Sequence, residues 1–228
     1  MTSISASRII GTIATFYPRG VPWDDPRFSA SLEWRIQQLV RNDAAFHQAN
    51  GRKLLAVLKR TYGRWRVEDL SLPDMFPCYH YQIASHHDRD GRAHDWNWDI
   101  RLTSRFGQLW VINLFVSFLG PYFEYGISEY KRVDNQLYHR FTRSSPSLRS
   151  RLAAMTDRLG DEGWYRVPRA LAGRKIPGFS TETCSAGRAT VFDLLFSETF
   201  TSPRAWDGAW VDISVHQGEP PPKRQQRH

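Results

Sequence analysis

Imidazole, carboxylate and amide side chains recur through the middle of this chain at Gln82, His86, Asp88, Asp95, Asn97, Asp99, Arg101, Asn113 and Glu124. Set side by side on one face of a β-sheet, such groups can move protons, bind a polar ligand or ligate a divalent cation. Their spacing predicts that arrangement. Asp90-Gly91 suits the two positive-φ positions of a type I′ hairpin turn and lies between two runs of aromatic and β-branched residues. Read outward from it, His86 pairs with Asp95, Ala84 with Asn97, Gln82 with Asp99 and His80 with Arg101. The alternate positions, Tyr79, Tyr81, Ile83, Trp96, Trp98, Ile100 and Leu102, make an apolar face. Continued through turns at Arg105-Phe106-Gly107 and Gly120-Pro121, the polar face has three rows: His86, Asp95, Ser117, Glu124; Ala84, Asn97, Phe115, Gly126; and Gln82, Asp99, Asn113, Ser128. Neighbours in a row would stand about 5 Å apart. Covered by a loop or by the basic C-terminal half, these groups form a desolvated pocket for a small ligand or for catalysis; left open, they are the wet side of an ordinary sheet.

His86 and Asp88 form a His-x-Asp pair at the end of a strand, and His139 or His216 would complete a two-histidine, one-carboxylate set for a divalent metal. That tripeptide resembles the first two ligands of iron- and 2-oxoglutarate-dependent oxygenases. The resemblance covers the tripeptide alone and implies an iron site at His86 and Asp88. No Gly-rich phosphate loop, Gly-x-Ser-x-Gly elbow or His-Glu-x-x-His is present, so no motif names a reaction or a catalytic residue. Cys78 and Cys184 have neither zinc nor CxxC spacing and read as reduced thiols.

A second candidate region lies further along. The chain carries a net charge of +8, and between Lys131 and Lys175 eleven basic residues face four acidic ones. Such a segment attracts an acidic protein partner or the phosphates of nucleic acid. With no catalytic motif, the function expected is that of a non-catalytic binding protein, of the kind of a bacterial toxin-neutralising immunity protein or an accessory factor. A metal-dependent enzyme on the polar sheet face and a nucleic-acid binder through 131–175 are the alternatives.

These groups need a scaffold. With 228 residues, 41% hydrophobic, the chain has enough apolar material for one domain, expected over 1–216, with 217–228 as a disordered Pro-rich basic tail. Arg8 to Tyr17 reads as a strand. Asp25-Pro26 opens a helix whose stripe runs through Phe28, Leu32, Ile36, Leu39 and Val40 to Asn50-Gly51, and a second helix spans Leu54 to Tyr62. Trp65 and Val67 suggest an edge strand, Ser147 to Leu159 a helix, and Trp164 to Val167 a last strand. Pro168 to Thr190 reads as loop, and Thr190 to Phe196 fits helix or strand. The fold class is α+β: a four- to five-stranded antiparallel meander, about 79–130, packed on one face by helices. The N-terminus has no signal-peptide pattern, and no apolar run approaches the roughly 20 residues of a membrane span, so a cytoplasmic protein is expected.

Overall fold

The computed structural model describes residues 4–86, 98–134, 136–197 and 208–213. Asp88, Asp90-Gly91, Asp95, Trp96, Asn97, His216 and the tail lie outside them. The fold is α+β. Strands β1 (Arg66–Asp69), β2 (Cys78–Ala84), β3 (Gln108–Ser117), β4 (Tyr122–Val133) and β5 (Gln136–Thr142) follow one another as an antiparallel meander. The two-residue strand β7 (Val211–Asp212) extends the far edge, and β6 (Tyr165–Arg166) joins β4 in parallel.

Residues 98–104, expected as a strand, are helical: α5 is Trp98–Phe106, and β2 pairs directly with β3, Gln82 opposite Asn113. Over nine residues, Trp98, Ile100 and Leu102 satisfy period two, whereas Asp99, Leu102, Thr103 and Phe106 satisfy the helical period equally well. The helix wins because Leu102 then packs with Ala84, Leu109 and Val111, and the Thr103 hydroxyl bonds the Asp99 carbonyl at 2.7 Å. Gly107 is left-handed as expected, at φ 78°, but it ends α5, its N–H reaching the Thr103 carbonyl at 2.8 Å, rather than bulging a hairpin.

The β3–β4 turn is longer than a two-residue turn, so Glu124 lies opposite Phe115 instead of Ser117. This two-residue shift keeps every side chain on its expected face. Its cause is the burial of Phe118 and Leu119 within the connection, where the Phe118 ring meets His47 and Tyr79. Gly120 is needed for close approach: a Cβ there would lie 2.7 Å from the Tyr122 ring.

Residues 6–16 form helix α1 (Ala6–Phe16), not a strand, since Ile9 and Ile13 four apart share its buried face and Ser5 caps it. The long helix expected from Pro26 breaks into α2 (Pro26–Ala30), α3 (Leu32–Arg41) and α4 (Ala44–Tyr62), with Asp25, Ser31 and Asp43 as side-chain caps. Leu32 and Leu39 of the expected stripe point outward and Gln37 inward. Helix α6 (Arg149–Asp161) buries the expected Leu152, Met155 and Leu159. A 3-10 turn at Pro146–Leu148 and the short helices α7 (Arg169–Ala172) and α8 (Val191–Leu195) complete the described elements.

Helices cover the sheet on both faces. The apolar face meets α4 and α6, through Tyr81 against Gly51, Tyr79 against His47, and Tyr125 beside Thr156. The polar face meets α5 at one end and α8 at the other, where Phe115 packs edge-on against Phe192. Over its described extent that face is buried rather than wet: Asn113, Ser117, Glu124 and Ser128 all belong to the interior.

An arginine cleft at a split sheet edge as the candidate functional site

Among the predicted polar rows, Gln82, Asn113 and Ser128 do meet. Gln82 Nε2 donates to Asn113 Oδ1 at 3.2 Å, and Asn113 Nδ2 to Ser128 Oγ at 3.4 Å. His80 Nε2 lies 3.4 Å from the same Oδ1, and its ring stacks on Phe115. Burial pushes the His80 pKa down to about 4, which keeps it neutral. This row is a satisfied internal network with one amide at its centre.

The other predicted residues disperse. Asp99 is in the first turn of α5, its Oδ1 accepting the Ile100 N–H at 2.8 Å, and Arg101 lies on the same helix. His86 stacks on Phe106, ring centroids 4.4 Å apart. Asp88, Asp95 and Asn97 are outside the described residues. Among the described residues no three His, Cys, Asp or Glu side chains group as a metal site requires. Cys78 and Cys184 are both free thiols, and burial raises the Cys78 pKa, so no nucleophilic thiolate forms there.

Glu124 leads elsewhere. The β4 edge remote from β3 is shared: β5 pairs with it from Ile127 onward, and β6 pairs only with Tyr122 and Phe123. Between them, residues 124–126 have no strand partner on that side among the described residues. The gap is closed by side chains. Glu124 is fully buried, and its Oε1 accepts the Tyr125 N–H at 3.0 Å, occupying a donor that a ladder would otherwise satisfy. Arg143, one residue past the end of β5, and Arg166, in β6, reach the carboxylate from the two sides of the split.

Arg166 Nε and Nη2 donate to Glu124 Oε1 at 3.1 and 2.9 Å, while Nη1 donates to the Tyr125 hydroxyl at 2.7 Å. Its guanidinium also lies 3.9 Å over the Tyr125 ring centroid. Arg143 Nη2 is 3.9 Å from Glu124 Oε2, and the Arg143 side chain is 4% exposed against 32% for Arg166. Burial pushes the Arg143 pKa down, Glu124 draws it back up, and Arg166 and Arg169 lower it again by like-charge repulsion.

Two hollows open on this pair. The larger, about 460 Å³, is lined by Tyr125, Pro146 and Leu152 with Arg149, Thr156 and Asp157. The smaller, about 310 Å³, is lined by Ser144, Val167, Pro168 and Arg169. Arg143, Ser144 and Arg166 line both, so the two hollows adjoin there. Four of the eleven basic residues in the 131–175 segment therefore converge at one place. Of the others, Arg151 lies over Trp65, while Lys131 and Arg140 both lie over Trp210, Arg140 also pairing with Glu129. Sequence reasoning found Glu124 and the basic segment separately. The Asp134-Asn135 turn signal before Gln136 would have placed Arg143 at a strand end, but the parallel pairing of β6 has no local signature.

Fold and site define an α+β protein with an arginine-lined cleft at the split edge of a helix-covered sheet. No family model, curated protein or solved structure matches the chain. Among the described residues no helix is long and apolar enough to cross a membrane.

Proposed function

We propose that this is a non-catalytic binding protein that recognises an acidic partner through the arginine cleft, in the manner of a toxin-neutralising immunity protein or an accessory factor. The carrying observation is the convergence of Arg143, Arg149, Arg166 and Arg169 on hollows walled by a buried guanidinium. A buried cation cannot rearrange as a surface lysine does, so the cleft is pre-organised for an anionic group, which lowers the ordering cost of binding. Arginine is also the basic residue most favoured in interfaces, because its planar fork bonds carboxylates in pairs.

The test is fluorescence anisotropy of a labelled oligoglutamate peptide across a salt series. Binding is expected at low salt and is expected to weaken as salt rises. The double variant Arg149→Glu/Arg169→Glu should lose about tenfold or more in affinity, since each change replaces an attraction by a repulsion. Unchanged binding by the double variant would remove the cleft as the site. A single-stranded oligonucleotide in the same assay tests the nucleic-acid alternative, which predicts tighter binding than the peptide and a steeper salt dependence.

A further inference from the structure

We infer that the smaller hollow is a phosphomonoester site: Arg143, Arg166 and Arg169 with Ser144 receive a tetrahedral dianion, and the larger hollow takes the organic group that carries it. The inference rests on the reading of the cleft as the binding site for an acidic partner and specifies the acidic group. Two observations favour phosphate over carboxylate. First, the described lining of the smaller hollow includes three arginines and a serine, whose side chains carry hydrogen-bond donors, and no Asp or Glu. These donors come from three separate places in the chain: the end of β5, strand β6 and the start of α7. A carboxylate offers two oxygens in one plane, whereas a phosphomonoester offers three terminal oxygens around a tetrahedron and can accept from donors on several sides. Second, the place of a carboxylate among these arginines is already filled by Glu124, which is tied to Arg166 and to the Tyr125 amide. What the cluster adds beyond that pair is more positive charge in a partly desolvated wall, where Arg166 and Arg169 both repel Arg143. A dianion relieves that repulsion more than a monoanion does.

The larger hollow explains why an ester rather than free phosphate is expected. It adjoins the smaller one at Arg143, Ser144 and Arg166 and has an apolar and aromatic part in Tyr125, Pro146, Leu152 and Ala153. An apolar substituent on the phosphate would bury its surface there, and the opposed Arg149 and Asp157 leave room for a polar one at the same hollow.

Isothermal titration calorimetry of the full chain with phenyl phosphate, inorganic phosphate, phenylacetate and a phosphoserine peptide tests this. Phenyl phosphate should bind about tenfold or more tighter than phenylacetate, and tighter at pH 7.5 than at pH 5, because the second phosphate ionisation falls near pH 6. It should also bind tighter than inorganic phosphate. Arg169→Gln, an exposed position that leaves the buried pair intact, should weaken phenyl phosphate by about tenfold. Arg60→Gln, the same charge change at a residue that lines neither hollow, should leave it unaltered. A phosphoserine peptide that outbinds phenyl phosphate assigns the group to a protein partner; the reverse assigns it to a small organic phosphate, and either supports the site. Phenylacetate binding as tightly as phenyl phosphate overturns the inference, as does equal weakening by Arg169→Gln and Arg60→Gln. If oligoglutamate binds at the cleft and phenyl phosphate does not bind, this inference falls and the acidic-partner reading stands; if neither binds, both fall.

Discussion

His80 shows how a titratable side chain can sit in the interior without a catalytic task. Its imidazole is stacked on Phe115 and tied to Asn113, and burial holds its pKa near about 4. An exposed histidine in the unfolded chain titrates near about 6.5. Below that value the unfolded state takes a proton that the native state refuses, so stability falls as pH drops from 6.5 towards 4 and levels off below the native pKa. The full difference corresponds to about 3 kcal/mol, an upper figure for one group. His80→Gln keeps a donor towards Asn113 and removes the titration. Urea unfolding midpoints measured from pH 4 to pH 7 should therefore rise more steeply for the wild type than for the variant. Parallel curves would mean that His80 titrates in the native state as it does in the unfolded chain. The predicted partners Gln82 and Asn113 were legible because side-chain alternation survives the loss of the intervening strand. Arg143 and Arg166 were not, since their meeting depends on which strand takes which part of the β4 edge.

At the scale of elements, the segments misread from sequence were those for which two periods fitted equally. Arg8 to Tyr17 and Trp98 to Phe106 both carry apolar residues two apart and four apart, and the choice was made by tertiary burial of Ile9, Ile13 and Leu102. Strands β2, β3 and β4 were read at their places from side-chain alternation, although Gly107 ends a helix and the β3–β4 turn is longer than expected; the helix at 149–161 with Leu152, Met155 and Leu159 inward and the brief edge strand at 66–69 were also read correctly. Gly107 carries the distinction between helix and hairpin. At φ 78° with open space around its Cα, it ends α5 in the left-handed conformation, and a side chain there would meet no neighbour. Gly107→Ala should then cost about 1 kcal/mol from backbone strain alone, and Gly107→Asn less, because Asn tolerates that conformation. Chemical denaturation of the two variants checks it. An alanine variant as stable as the wild type would show that α5 does not stop in a left-handed turn.

For the whole molecule, the sheet order decides where stability concentrates. Strand β3 has β2 on one side and β4 on the other, with α4 and α6 over one face and α5 and α8 over the opposite face. Its residues Val111 to Ser117 are all buried. The edges differ: β1 has four residues and β7 two, and both residues of β7 are exposed. Local opening can free an edge strand without disturbing the interior, but the amides of β3 reach water only if a neighbouring strand leaves and a covering helix lifts. Native-state hydrogen exchange should therefore place the amides of Ile112, Leu114 and Val116 in the slowest class, with opening free energies equal to that of global unfolding. Those of β1 and β7 should exchange through smaller openings. The split in the β4 edge adds a further feature. The Tyr125 amide is held by the Glu124 side chain instead of a strand, so it should exchange faster than Leu114, its cross-strand neighbour on β3. Equal protection of Tyr125 and Leu114 would mean that the cleft is sealed by a strand pairing, and the arginine site would lose its opening.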